Sequence, residues 1–211
     1  NGSSALNLLK GDHVFVNQTL AAFYKLKGAR GEEFQKVAVD EKSQRGGLLT
    51  QGTFLIGNSD GMNSHAILRG VWLADVILHD PPPDPPANVP PLDENIPGFN
   101  KMTLNQKLFA HRDNEACRSC HRKIDPWGIP FEGFDASGLR RTKVLVVSRA
   151  SDSPKDQTKG RKKTKKPVFD KSYLEIERKS TLPDGVEVGG IEKLKEYLIN
   201  HRKRDFTKGL V

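Results

Sequence analysis

The chain predicts a mainly α-helical fold with a small antiparallel β element and long proline-rich straps. Three observations lead there. Apolar residues recur at helical spacing in several stretches. Seven of the thirteen prolines crowd between Pro81 and Pro91, a stretch that cannot form a helix or a central strand and should run extended along the surface. Short alternating runs surround a D-G turn at Asp184 and Gly185, as in a hairpin. At 211 residues the chain is one moderate domain or two small ones, with enough length to bury a core.

Taken in order, Phe15, Leu20, Phe23 and Tyr24 stand near helical spacing and predict a helix from about Val14 to Leu26, ended by Gly28. His13 and Tyr24 read as ordinary packing or surface residues. Phe34, Val37 and Val39 alternate as in a short strand. The apolar run from Leu48 to Ile56 suits a short helix or a buried strand, and is read as helix. Ser64 is the expected N-cap of a helix reaching Leu78, with Ile67, Leu68, Val71, Trp72 and Val76 as its apolar stripe and His65 in its first turn. Thr103 and Gln106 form a capping box for a helix ending at His111 or Arg112. Asp113 and Asn114 offer a cap for a second, short helix. Strands are expected at Lys143 to Val147 and Leu174 to Glu177. An amphipathic helix from Gly190 to Ile199 carries Ile191, Leu194, Tyr197 and Leu198 on one face.

The second short helix holds Cys117, Arg118, Ser119, Cys120 and His121, a C-x-x-C-H run containing the only two cysteines. This spacing is the attachment signature of c-type haem. Two thiols three positions apart can each add to one vinyl group of the same porphyrin, and the adjacent imidazole is then held beneath the iron as proximal ligand. The expected cofactor is therefore one covalent haem c, with Cys117 and Cys120 as its anchors and His121 as a metal ligand. Other uses of the pair remain open. A thioredoxin-like C-x-x-C belongs after a strand in a βαβ pattern, whereas the residues upstream read as helical and polar. A structural zinc site wants four ligands, and the nearest downstream histidine is His201. A disulfide would leave His121 unexplained.

A flat apolar macrocycle needs apolar walls, and the compact segment after the motif offers Trp127, Ile129, Phe131 and Phe134. Without haem these residues would form a satellite core. Asp125, Glu132, Asp135 and Arg140 could place polar groups near a macrocycle, or serve as caps and salt bridges.

The formal charge of +8 is local. Residues 148 to 167 hold eight Lys or Arg against two Asp, in a run with almost no apolar residues that reads as a solvated loop. A nucleic-acid partner is not expected, because neither a broad basic face nor aromatic interleaving is present. No apolar run approaches a membrane span. The first residues lack a signal peptide. Because haem is attached to such motifs outside the bacterial cytoplasm, the expectation is a periplasmic or otherwise exported segment whose signal peptide lay upstream.

Four stretches together resemble a known family: RGGLLTQGTFLIGNSDGMNSHAILRGVWLADVIL from Arg45, PPPDPPANVPPLDE from Pro81, HRDNEACRSCHRKIDPWGIPFEGFDASGLRRT from His111, and TLPDG from Thr181. They are similar to the C-terminal half of large secreted planctomycete-type cytochromes, which string together several modules of uncharacterised function, one bearing a single C-x-x-C-H. The resemblance covers about Leu8 to Phe206. It implies a cytochrome c-like haem-bearing helical module over residues 31–145, with residues 1–30 as the tail of a preceding helical module. Residues 146–211 would be a basic insertion and the start of a C-terminal module. It further implies export, covalent haem and electron transfer to a redox partner protein or to neighbouring modules.

For the sixth ligand the first choice is His65, at a loop-to-helix junction in the SHAILRGVW segment, with Met62 or an open position as alternatives. Met102 and His111 lie close upstream of the motif on a short tether, and His111 suits a propionate or backbone hydrogen bond better. The leading function is thus an electron-transfer module, ranked ahead of a stand-alone enzyme. The alternatives are a haem-dependent peroxidase or sugar-oxidising module, and a non-haem interaction module that docks through the basic run.

Overall fold

The computed structural model describes residues 4–84, 98–112, 115–149 and 169–208. Among the described residues the chain is mainly helical, with three separate two-stranded antiparallel sheets. The proline-rich stretch beyond Asp84, the expected cap at Asp113 and Asn114, and nearly all of the basic run lie outside the described residues.

The first segment departs from expectation. His13–Val16 is a strand, β1, and the helix α1 covers only Gln18–Phe23. The β-branched and aromatic run favours extended backbone, and Asn17 sets the boundary by accepting a hydrogen bond from the Leu20 N–H at 2.9 Å. β1 pairs with β2, Gln35–Ala38, in the register Val14 to Val37. Val16, Ala21 and Val37 close a small satellite cluster beneath this hairpin.

The run read as a helix after Arg45 forms a 3-10 turn, Leu48–Thr50, and then α2, Gly52–Gly57. The next helix, α3, is Ala66–Trp72 and continues as a π-helical turn, Leu73–Ile77. Its cap is His65, whose Nδ1 accepts from the Leu68 N–H at 3.3 Å. Ser64 is not the cap, because its hydroxyl is drawn inward to the buried Glu132 carboxylate at 2.9 Å. Further on, α4 spans Leu104–His111 and starts with the expected Thr103–Gln106 capping box.

The motif helix is longer than expected. α5 runs Glu115–Gly128 through Pro126 and passes into a 3-10 turn, Ile129–Gly133. A proline inside a helix costs about 3 kcal/mol in isolation, and packing against α3 offsets it. α3 lies antiparallel on α5, so that Gly70 meets Ile124 and Gly128 meets Ala66. A Cβ on Gly70 would stand 2.5 Å from the Ile124 carbonyl oxygen, and one on Gly128 would strike the Ala66 carbonyl. Backbones this close need glycine at both crossings.

Arg69, fully buried on α3, locks this pair to its surroundings. One guanidinium nitrogen donates to the carbonyls of Phe131 at 3.2 Å and Phe134 at 2.9 Å, and another to Leu55 at 3.0 Å and Asp135 at 2.8 Å. Burial pulls its pKa down to about 10.

Downstream, β3, Lys143–Arg149, pairs with β4, Phe169–Glu175, in the register Leu145 to Tyr173. β5, Ser180–Thr181, pairs with β6, Glu187–Val188, around the D-G turn, where Gly185 has φ +89°. The amphipathic helix α6 spans Ile191–His201 and α7 spans Lys203–Lys208. The main core joins Leu9, Phe54, Leu73, Ile77, Trp127, Phe131 and Phe134 to Leu182, Val188, Leu194, Tyr197 and Phe206. Among the described residues no helix is long and apolar enough to cross a membrane.

Candidate functional site

The site is built on one face of α5. Cys117 and His121 are four residues apart and therefore stack on the same side, with Ile124 and Gly128 continuing the row toward α3. Both thiols are free; Cys117 is buried and Cys120 half-buried. Among the described residues no group of three or more His, Cys, Asp and Glu side chains is placed to hold a metal ion. Cys117, Cys120 and His121 are the candidate cofactor-binding residues, two thiols and one imidazole on a single helix.

His121 is oriented from one helical turn below. Its Nδ1 lies 2.9 Å from Asp125 Oδ1, and Asp125 is fully buried. A carboxylate at Nδ1 fixes the tautomer with the proton on that nitrogen, leaving the Nε2 lone pair available. Among the described residues Asp125 Oδ2 has no hydrogen-bond partner; its neighbour is Arg112 Nε at 3.5 Å, which supplies charge. Arg112 in turn reaches back to the Leu108 carbonyl at 3.4 Å, while Arg118 Nε donates to the Arg112 carbonyl at 3.0 Å. These contacts hold the end of α4 against the start of α5.

The residue brought to His121 is His111. Its ring meets the His121 ring edge to face, with centroids 5.0 Å apart and planes at 79°. Burial and the neighbouring His121 hold the His111 imidazole below its ordinary pKa. His65 lies elsewhere. It precedes Ala66, which abuts Gly128, seven residues along α5 from His121 and so about 10 Å along the axis. There His65 lines a cavity of about 460 Å³ with Ser64, Met102, Leu108, Glu132 and Val144. Met62 is 87% exposed on a loop braced by Asp60, which accepts from the Met62 N–H at 2.7 Å.

The four residues expected to wall a macrocycle, Trp127, Ile129, Phe131 and Phe134, are all buried. Trp127 packs 6.0 Å from the Tyr197 ring and Phe131 5.3 Å from the Phe54 ring. These rings belong to the main core, not to a separate satellite. Of the four polar candidates only Asp125 touches the motif. Glu132 pairs with Arg141 at 2.9 Å and accepts from Ser64, yet burial still raises its pKa. Asp135 caps its own turn, accepting from the Leu139 N–H at 2.8 Å. Arg140 reaches Gln44 Oε1 at 3.4 Å.

The sequence reading set His111 to a propionate or backbone hydrogen bond and did not name Arg112; the structure puts the His111 ring on that of His121 and Arg112 beside Asp125. The available signal was their place at the end of a capped helix, with only a short connection to the motif.

Residues 45–144, just under half of the chain, match the family model PSCyt3, described as a protein of unknown function (DUF1588). That stretch contains α2 to α5, and with them Cys117, Cys120, His121, Asp125 and His111. It fits the planctomycete-type cytochrome-associated resemblance. No curated protein and no solved structure matches the chain.

Proposed function

We propose that this chain binds one haem c through Cys117, Cys120 and His121, and serves as an electron-transfer module of a larger exported protein. The observation that carries the reading is the pairing of C-x-x-C-H on one helix with a buried carboxylate at His121 Nδ1. The donor set suits the group: each thiol can add its sulfur and hydrogen across one vinyl double bond with nothing leaving, and the oriented imidazole keeps a free lone pair for iron. When bound, haem c supplies a one-electron couple between ferric and ferrous iron.

The remaining roles belong to the chain. Asp125 holds the proton of His121 on Nδ1 and orients the ring so that Nε2 carries the lone pair. Arg112 balances the charge of Asp125 from α4. α3, with Arg69 at its centre, gives α5 a rigid bed. Electrons would pass to a redox partner protein or to neighbouring modules of the same chain, and haem attachment would take place after export.

The test is to export the chain together with a cytochrome c maturation system and to record oxidised and reduced visible spectra and the intact mass. A covalent haem that resists acid extraction, with a sharp low-spin α band and a reversible couple, is the expected result. An unaltered polypeptide mass beside a successfully matured control cytochrome would overturn the proposal. Five-coordinate iron that rapidly consumed peroxide would favour the peroxidase alternative.

A further inference from the structure

The cavity of about 460 Å³ framed by the start of α3, by α4 and by β3 has a polar end and an apolar wall. Its size suits a small organic guest. The polar end is built on Glu132, which is 5% exposed and lines the cavity with Ser64 and Arg141. Both neighbours serve one of its oxygens. Ser64 Oγ and Arg141 Nη2 each donate to Oε2 at 2.9 Å, and Arg141 Nε donates to the Glu132 carbonyl at 3.1 Å, which holds the pair in place. Among the described residues Oε1 has no hydrogen-bond partner. A buried carboxyl oxygen without a partner is costly, and a guest in the cavity is the group that can supply one.

We propose that this cavity binds a small neutral alcohol, with its hydroxyl on Glu132 Oε1 and its hydrocarbon body against the apolar wall; the inference stands apart from the haem reading. His65 borders the same cavity. Its Nδ1 accepts from the Leu68 N–H at 3.3 Å, so the neutral ring carries its proton on Nε2 and has a donor to offer. A hydroxyl matches both groups, donating to Oε1 and accepting from Nε2. It satisfies Oε1 in either protonation state of the carboxyl, because a hydroxyl donates and accepts alike. An ammonium only donates, and Arg141 already balances the Glu132 charge. A carboxylate would meet Glu132 as a like charge. The remaining wall is made by Phe99, Met102, Leu108, Val144 and Val146, of which Phe99 and Leu108 are buried. Polar side chains beside it are committed within the fold: Thr103 to its capping box, and Asn63 Nδ2 to Asp60 at 3.2 Å.

The experiment titrates the full chain with benzyl alcohol, toluene and benzylammonium, three probes of one shape, and follows methyl resonances of the leucines and valines by magnetic resonance. Benzyl alcohol is expected to shift the methyls of Leu108, Val144 and Val146, and toluene to bind about tenfold or more weakly, the factor for a hydrogen bond to a charged group. Glu132→Met keeps the volume but removes both oxygens, and should bring the two affinities together. Glu132→Gln should keep the preference for the alcohol, because Ser64 and Arg141 hold the amide oxygen and leave the amide nitrogen to the hydroxyl. Val144→Trp, on a half-buried strand position, should block all three probes, and it locates the site even if Glu132→Met does not fold. No binding of benzyl alcohol, equal affinity for toluene, tighter binding of benzylammonium, or binding that survives Val144→Trp would overturn the proposal. So would an alcohol preference unchanged in a folded Glu132→Met. None of these outcomes bears on covalent haem at Cys117 and Cys120, which the mass and spectra read separately.

Discussion

Replacing Arg69 by methionine removes the tie between α3 and the segments around it while keeping similar volume. The guanidinium makes four hydrogen bonds to buried carbonyls, at 2.8 to 3.2 Å. Bonds from a charged donor contribute about 1.5 to 3 kcal/mol each, so the gross loss is about 6 to 12 kcal/mol. Against this stands the cost of keeping the charge buried. Burial holds the guanidinium down at about 10, a fall that corresponds to about 3 kcal/mol. Methionine also regains some apolar contact, and the bonds are not additive. The expected net loss is therefore on the order of 4 kcal/mol, close to that for an orphaned partner of a buried charge. For a chain of this size that lowers the melting temperature by about 8 to 16 °C. Urea unfolding followed by far-ultraviolet circular dichroism measures the difference. Arg69→Lys should recover less than half, because one ammonium cannot span four carbonyls that a planar fork reaches. A loss below about 1 kcal/mol in Arg69→Met would refute the reasoning, since the four carbonyls would then have found other partners.

Asp125→Asn in the haem-loaded chain should raise the reduction potential by tens of millivolts, because a buried negative charge beside His121 favours the ferric state; protein-film voltammetry would show an unmoved potential if Asp125 were only a helix pair. Gly128→Ala should cost about 3 kcal/mol or more by pushing α3 from α5, and a denaturation midpoint equal to that of the unaltered chain would show that the helices do not pack this closely. Glu132, whose pKa is raised by burial, binds its proton more tightly folded than unfolded. Its contribution to stability is therefore full below the ordinary glutamate range, and is lost as pH rises from about 4.5 through the raised value. Glu132→Gln should flatten the pH dependence of urea midpoints over that window, and an unchanged slope would assign the dependence to other groups.

The helical scaffold supports the site by a division of labour. α3 and α5 approach through Gly70 and Gly128 at the C-terminal half of α5. This contact leaves the first turns of α5, with Cys117, Cys120 and His121, to α4. Rigidity is thereby placed at one end of the motif helix and the thiols at the other.

The features legible in the chain are local. Five positions hold the C-x-x-C-H, four the Thr103 capping box, and ten or so the amphipathic α6. The strand at Val37 and the D-G hairpin likewise depend on neighbours within a few positions. Even locally, β1 escaped, because Phe15, Leu20, Phe23 and Tyr24 together stand near helical spacing while Val14 and Val16 pair across to β2. The remaining placements depend on residues far apart in the chain. Ser64 left its expected cap for Glu132, 68 positions away. Trp127 and Phe131 entered a core shared with Tyr197 and Phe54. His65 went to the Gly128 end of α5, while His111 came to His121. A side chain's spacing records which face of its own helix it occupies. Which other helix covers that face follows from the packing of the whole chain, and here the close contact of two glycines with opposing backbone set it.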